Sequence, residues 1–255
     1  MTLPRIYRPE MTGGETVIQS DGKDFHYLKT VLRLGEGREL RLFDGKGGEW
    51  RAVIEKYGDQ SASLRILKKE APSPPPIEIT LAQSLPKSDK MDFIIQKGTE
   101  LGVGRIIPFI SSRSVPRPDA GRRENRLNRW RRIAAEAARQ CGRSVVPEMT
   151  DILSFDEMLQ HRGENTLGMV FWEGEEERSL KSLLQSETGR ERTGFFIVIG
   201  PEGGFSRDET DRAVSRGFLT VTLGPRILRT ETAPLTILSI LQYERGSLSE
   251  RTSHG

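Results

Sequence analysis

Beyond residue 76 the chain alternates short apolar runs with amphipathic segments, and this alternation restricts the fold more than any other feature. Apolar runs at 77–84, 105–110, 166–171, 195–199 and 219–223 have the length of strands. Segments at 88–101, 122–141, 155–161, 180–185, 207–216 and 231–243 carry apolar residues at helical spacing. Strands that alternate with helices in this way build a mainly parallel sheet covered on both faces, so the expected class is α/β. The run Ala71-Pro72-Ser73-Pro74-Pro75-Pro76 precedes it. Proline favours stiff, extended chain and joins neither a helix interior nor a central strand. The expected organisation is a small domain at 1–70, a linker at 71–76, a large domain at 77–248 and a flexible tail at 249–255.

The small piece reads as mostly β. Runs at 38–43 and 49–57 flank Asp44-Gly45-Lys46-Gly47-Gly48, a glycine-rich hairpin signal, and 61–67 alternates in the same way. Ahead of them, 24–34 carries Phe25, Leu28, Val31 and Leu32 at helical spacing, with Asp24 expected to cap the helix start. A small barrel with one helix is the expectation, near the lower size limit for an independent core.

Composition excludes several classes. No apolar stretch approaches the roughly 20 residues of a membrane helix, and no signal-peptide pattern opens the chain. One cysteine, Cys141, excludes an internal disulfide, and with only His26, His161 and His254 beside it no metal site is expected. A reducing, cytoplasmic location follows as an expectation. Net charge is only +3, yet residues 105–143 hold eleven arginines against Asp119, Glu124 and Glu136, a local balance of +8. An acidic stretch follows at Glu173, Glu175, Glu176 and Glu177. Such asymmetry points to nucleic acid, and arginine suits forked phosphate contacts and stacking on bases. Helix 122–141 sets Leu127, Trp130, Ala134, Ala137 and Cys141 along one face and Arg132, Arg139 and Arg143 on the opposite arc. A solvated face explains such a stripe equally well; the local charge excess tips the reading towards RNA.

Two turns concentrate the chemistry. Gly200-Pro201-Glu202-Gly203-Gly204-Phe205 follows the run ending at Ile199, and the segment from Leu223 and Gly224 to Ala233 follows the run at 219–222. Each joins a strand to a helix, and an α/β sheet builds its ligand sites at the carboxyl ends of strands. Gly203 and Gly204 allow close backbone approach and positive φ, and Glu202 offers a rim carboxylate for a ribose hydroxyl or a cationic ligand. The dinucleotide pattern G-x-G-x-x-G is absent. Plainer accounts exist: Ser206 capping the next helix, and Thr230 or Thr232 in a capping box. The second leaves Arg229 unexplained, a polar group between the apolar Ile227-Leu228 and Ala233-Leu235. Lys97 and Glu100 suit an i,i+3 ion pair worth a few tenths of a kcal/mol.

Five stretches together resemble a known family: KSDKMDFIIQKGTELGV (87–103), SSRSV (111–115), AAEAARQCGRSVVP (134–147), IGPEGGFS (199–206) and LGPRILRTETA (223–233). They are similar to the bacterial ribosomal small subunit methyltransferase E family, the 16S ribosomal RNA (uracil-N3)-methyltransferases of the SPOUT superfamily. HYLKTVLRLG (26–35) and FDGKGG (43–48) fit as well, so the likeness covers nearly the whole chain. Gly98 departs from it, standing where alanine is expected.

The resemblance implies a PUA-like N-terminal β-barrel that helps bind RNA and a SPOUT-type domain whose mainly parallel sheet carries a trefoil knot. It implies a homodimer acting on 16S rRNA of the small ribosomal subunit, with S-adenosyl-L-methionine as cofactor. By position, Ile199, Gly200, Pro201, Glu202, Gly203, Gly204, Leu223, Gly224, Ile227, Leu228, Arg229 and Thr230 would wrap the cofactor. Ala233 and Leu235 would lie beneath it. Arg229 would orient and stabilise the uracil, and Glu202 or Glu231 is a candidate for its proton, with water the alternative. Arg139, Gln140 and Arg143 would hold RNA, joined by Arg132, Lys97 and Arg113. Rival readings are a ribose 2′-O-methyltransferase of the same superfamily, a dinucleotide-dependent oxidoreductase, and an RNA-binding assembly factor without activity.

Overall fold

The computed structural model describes residues 3–71 and 74–248; Pro72 and Ser73 of the expected linker and the expected tail at 249–255 lie outside the described residues. The chain divides into two compact units, Met1–Pro74 with Ala135–Val146, and Pro75–Ala134 with Pro147–Gly255.

The first unit contains β1 (Arg5–Tyr7), β2 (Val17–Asp21), α1 (Gly22–His26), a π-helical turn at Tyr27–Val31, β3 (Glu39–Phe43), β4 (Glu49–Tyr57) and β5 (Ser61–Lys69). The strands form one sheet in the order β1-β3-β4-β5-β2, with β1 parallel to β3 and the other pairs antiparallel. Alternation along β4 sends Trp50, Ala52 and Ile54 inward, where they meet Leu28, Leu40, Leu42 and Leu64. The sheet curls into a half-barrel whose end strands β1 and β2 do not pair. Arg8, just past β1, spans the opening: it donates to Ser20 Oγ at 2.7 Å and pairs with Asp24 at 3.3 Å.

That ion pair corrects the capping expectation. Asp21 stands at the N-cap of α1 without a side-chain bond, and Asp24 sits inside the first turn, turned to Arg8. The glycine-rich hairpin forms as expected. Asp44 Oδ1 accepts the amides of Lys46 and Gly48 at 2.7 and 2.9 Å, while Gly45 and Gly47 take φ of +78° and +101°. Residues 135–146, which the linear division assigns to the larger domain, pack on this hairpin: the Val146 amide donates to Gly45 O at 2.9 Å and Arg5 Nη2 to Arg143 O at 3.1 Å.

The second unit continues with β6 (Glu78–Ser84), α2 (Lys90–Glu100), β7 (Arg105–Ile110), α3 (Ala120–Cys141, whose last residues belong to the first unit), β8 (Glu148–Met149), β9 (Leu153–Ser154) and α4 (Phe155–Leu159). It is completed by β10 (Thr166–Phe171), α5 (Leu180–Gln185), α6 (Glu187–Arg190), β11 (Gly194–Ile199), α7 (Arg207–Ser215), β12 (Leu219–Val221) and α8 (Thr232–Glu244). All the strands are parallel, in the order β12-β10-β11-β6-β7-β8, with β9 also on β7. Both faces of the centre are covered, so β11 reads as an unbroken apolar run with Phe195 to Ile199 all buried. One face packs Ala82, Phe109, Phe196 and Val198 against Phe155 and Met158 of α4, Phe205 and Ala213. The other receives α8, which returns to lie against α2 and β11.

On α3, Leu127, Trp130, Ala134 and Ala137 are buried as the spacing predicts, but Cys141 is exposed. It is the last residue of the helix, beyond the packed turns, and the chain leaves through Gly142 at φ +86°. Asp92 of α2 anchors α3 by accepting Trp130 Nε1 at 3.1 Å and pairing with Arg129.

Gly98 lies buried in α2, where a Cβ would meet Val103, Leu238 and Leu81 side chains at 3.6, 3.8 and 4.0 Å. Those are ordinary van der Waals separations. Gly98→Ala is therefore expected to stabilise the protein by about 0.5–1 kcal/mol, because glycine loses more backbone freedom on entering a helix. A lower denaturation midpoint in the variant would contradict this.

Candidate active site

A cleft of about 900 Å³ opens at the carboxyl ends of β10, β11 and β12. Its walls are the two turns singled out by sequence, and the structure ties them together. Thr230, only 6% exposed, donates its hydroxyl to Gly200 O at 2.7 Å and accepts Gln83 Nε2 from β6 at 3.1 Å. Thr230 is thus a clasp between the two turns. Neither Thr230 nor Thr232 caps α8: Glu231 holds the N-cap position and makes no side-chain cap bond.

The glycine turn is held from outside. Gly204 takes φ +65° and its amide donates to Pro201 O at 3.0 Å. Ser206 and Glu209 form a capping box on α7, so the expected Ser206 cap is present. Glu209 does more than cap. It is 1% exposed and accepts Ser112 N and Oγ, both at 2.8 Å, as well as Ser206 N at 3.0 Å and Oγ at 3.1 Å. Burial pushes its carboxyl up, but the donors from Ser112 and Ser206 outweigh burial and hold it below the ordinary glutamate value. Arg113 adds a bond from Nη1 to Gly203 O at 2.8 Å. Beneath, the hydroxyls of Ser84, Ser111 and Ser114 form a buried triangle with edges of 2.8–3.1 Å. The matched stretch 111–115 is therefore the brace of the turn.

At the mouth, Lys90 at the start of α2 donates to Glu202 Oε1 at 2.9 Å and pairs with Glu231 Oε2 at 3.1 Å. Glu202 also accepts the Lys87 amide at 3.2 Å. Burial raises both carboxyls; at Glu202 the Lys90 bond is the main counterweight, and at Glu231 a backbone amide and then Lys90. Both carboxyls end below the ordinary value. Lys90 is in turn raised, first by Glu202 and then by Glu231. Glu173, Glu175 and Glu176 also line the cleft, with Glu173 Oε1 3.1 Å from where a Cβ of Gly204 would stand. Glu175 is committed to its own loop, where it accepts the amides of Glu177 and Arg178 at 2.9 and 3.0 Å and pairs with the Thr220 hydroxyl.

Of the residues expected at a cofactor site, Ile199, Gly200, Pro201, Glu202, Gly204, Leu223, Gly224, Ile227, Leu228, Arg229, Thr230 and Ala233 all line this cleft. Gly203 does not; it backs onto Arg113, 3.3 Å from where its Cβ would stand. Leu235 is half-buried on α8 outside the lining, and Glu231 joins through Lys90. Phe171 and Trp172 belong to the lining but carried no sequence signal that separates them from an ordinary strand end, and Lys90 stood in the matched stretch 87–103 with no role assigned to it. Glu209 had one: the spacing Ser206-Arg207-Asp208-Glu209 of a capping box.

The residues expected to meet RNA differ in availability. Arg132 is exposed on α3. Lys97 is paired with Glu100 at 2.8 Å, and Arg113 braces the turn. In the first unit Gln140 is exposed and Arg143 half-buried. Arg139 stacks 4.6 Å from the centre of the Tyr27 ring, bonds the Tyr27 hydroxyl and pairs with Glu136 at 2.7 Å.

Apolar side chains of Ile199, Leu223, Leu228 and Ala233 line the cleft, and the amides of Ile227, Leu228 and Arg229 donate to no other group of the described chain. Such a cleft suits an amphipathic, nucleotide-sized ligand held largely by backbone, with carboxylates at the rim for positive charge. Among the described residues no cluster of His, Cys, Asp and Glu could hold a metal, and no helix is long and apolar enough to cross a membrane.

Comparison with known proteins agrees with this architecture. Residues 73–242 match the family model of an RNA methyltransferase domain, and residues 21–67 that of an RNA methyltransferase PUA domain. The chain is 35% identical over 226 residues to ribosomal RNA small subunit methyltransferase E of Bacillus subtilis, covering 88% of each. It superimposes on the Neisseria gonorrhoeae enzyme of that name, crystallised with S-adenosyl methionine, with a TM-score of 0.85 at 33% identity, covering 96% of this chain and 99% of that one. A putative methyltransferase of Legionella pneumophila with the same bound cofactor gives 0.85 at 31% identity, covering 97% and 100%. The fold is thus the SPOUT-type α/β class, a parallel sheet with a PUA-like N-terminal domain. By sequence, fold and the clasped turns of its cleft, the chain belongs to the ribosomal RNA small subunit methyltransferase E family.

Proposed function

We propose that this protein methylates N3 of a uridine in 16S rRNA of the small ribosomal subunit, using S-adenosyl-L-methionine, as a cytoplasmic homodimer. One observation carries the reading: the cleft formed where Thr230 clasps the glycine turn at Gly200, with Arg229, Glu202 and Lys90 lining it. Bound there, the cofactor supplies a methyl group on a cationic sulfur.

This chain supplies position and charge. Backbone of 200–202, 204 and 223–230 would hold the cofactor against Ile199, Leu228 and Ala233, and bound there it would supply the methyl group. In-line displacement makes such positioning a large share of the acceleration. N3 is hidden when uracil is paired, so the target base enters unpaired or extruded. Arg229 orients it and stabilises the negative charge that spreads onto its carbonyl oxygens. Glu202 and Glu231 are held ionised below the ordinary glutamate range, which makes them weak bases; the N3 proton leaves to water. The arginines of α3 and Gln140 contact RNA phosphate.

The test is methyl transfer from labelled cofactor to small subunits lacking the modification, followed by digestion to nucleosides. Label in 3-methyluridine is the expected result; label on a ribose would overturn the base assignment. RNA binding by α3 has its own test. Arg131 and Arg132 are exposed, and reversing both to glutamate is expected to lower RNA affinity and reduce the salt slope by about 1 for each phosphate no longer neutralised. An unchanged slope would make that face a solvated one.

A further inference from the structure

We infer that Lys90 is a catalytic cation of this methyl transfer, presenting an N–H to a carbonyl oxygen of the target uracil as N3 loses its proton. The inference rests on the function proposed above. Lys90 stands at the start of α2, and its ammonium lines the cleft. An ammonium has three N–H directions. One goes to Glu202 at 2.9 Å and a second faces Glu231 at 3.1 Å, two carboxylates from the two separate turns. No further acceptor meets this ammonium among the described residues.

A purely structural tie explains this arrangement poorly. Half-exposed ion pairs are worth little, and a single carboxylate would anchor the side chain. Two carboxylates do something else: they aim a flexible four-carbon stem and keep its charge, with Lys90 raised above its ordinary value. A lysine so held cannot take the uracil proton. It can donate towards the oxyanion that forms. The other charges at the mouth are Arg229, whose field reaches Glu231, the Lys87 segment, whose amide meets Glu202, and Glu173, Glu175, Glu176 and Arg226 along the lining. The carboxylates lining the cleft outnumber its cations, so negative charge forming on the ring is met favourably only where the cations Lys90, Arg226 and Arg229 stand.

In the reaction the N3–H bond breaks and its proton passes to water. The electron pair left on N3 forms the bond to the methyl carbon, and the methyl–sulfur bond breaks with its pair remaining on sulfur. Lys90 acts on the middle of this sequence, when the ring carries the charge.

The experiment measures single-turnover rates on small subunits lacking the modification, between about pH 6 and 10, for the wild type, Lys90→Met and Lys90→Gln. Cofactor affinity and thermal midpoint are measured beside them. Failure of the wild type to form 3-methyluridine would remove the proposed function before Lys90 is considered. With an active wild type, Lys90→Met is expected to lose about a hundredfold in rate near neutral pH, with cofactor Kd changed less than about fivefold. The midpoint of its pH–rate profile should move upward by about one pH unit or more, because N3 becomes harder to deprotonate. Lys90→Gln, which keeps a polar end without charge, should shift likewise and decides the matter if Lys90→Met does not fold. A rate that falls equally at every pH, or a loss confined to cofactor affinity, would reduce Lys90 to a structural tie and overturn the inference.

Discussion

Arg229→Ala is expected to lower methyl transfer at least about a hundredfold while leaving cofactor affinity within about threefold. The separation follows from how the residue is built in. Its carbonyl accepts the amides of Thr232 and Ala233 at 2.8 and 2.9 Å and so starts α8, and the neighbouring Thr230 clasp fixes the loop. These bonds belong to the backbone and to Thr230, and they survive truncation of the side chain. The guanidinium is exposed at the cleft, so the variant removes charge and donors without opening a hole in the core. Arg229→Lys should recover only part of the loss, since a point charge cannot reproduce a planar fork. Single-turnover rates with calorimetric Kd values measure both effects. Near-normal turnover would remove Arg229 from the mechanism.

Glu209→Ala is expected to be the most damaging substitution for the site's framework. Four donors lose their acceptor at once: the amides and hydroxyls of Ser112 and Ser206. The carboxylate is 1% exposed, so water does not readily replace it. Leaving these part-buried donors without a charged partner costs about 2 kcal/mol, which for a domain of this size is a fall in Tm of roughly 4–8 °C. Cofactor affinity should fall too, because the glycine turn loses its tie to the 111–115 segment. The group's folded pKa is lowered, so its contribution is present above the ordinary glutamate value of about 4.3 and is lost as pH falls through the folded value. The difference in Tm between wild type and variant should therefore shrink in acid. A Tm within about 2 °C of the wild type at neutral pH would show the site to be held in some other way.

Sequence periodicity by itself determined the parallel α/β sheet, the glycine hairpin at 44–48 and the two turns that wall the cleft, because each is local. A run such as Phe195 to Ile199 is apolar on both faces only if both are covered, and a glycine that takes φ +65° at Gly204 announces a turn wherever it stands. The Ser206 cap was legible for the same reason.

What depended on partners distant in the chain was decided only by tertiary structure. Strands β1 and β2 are short, and β2 is mostly exposed, so nothing in their own pattern demands pairing; the neighbours β3 and β5 supply it. Asp24 and Thr230 look like helix caps in sequence, but Arg8 and the Gly200 carbonyl offer better partners, and a side chain takes the partner the fold brings. Residues 135–146 join the first unit because the hairpin backbone at Gly45 and Gly47 accepts and donates to them. Lys90 meets Glu202 and Glu231, each more than a hundred residues further along the chain. No local pattern encodes such a meeting, because charges far apart in sequence are brought together only when the core beneath them has packed.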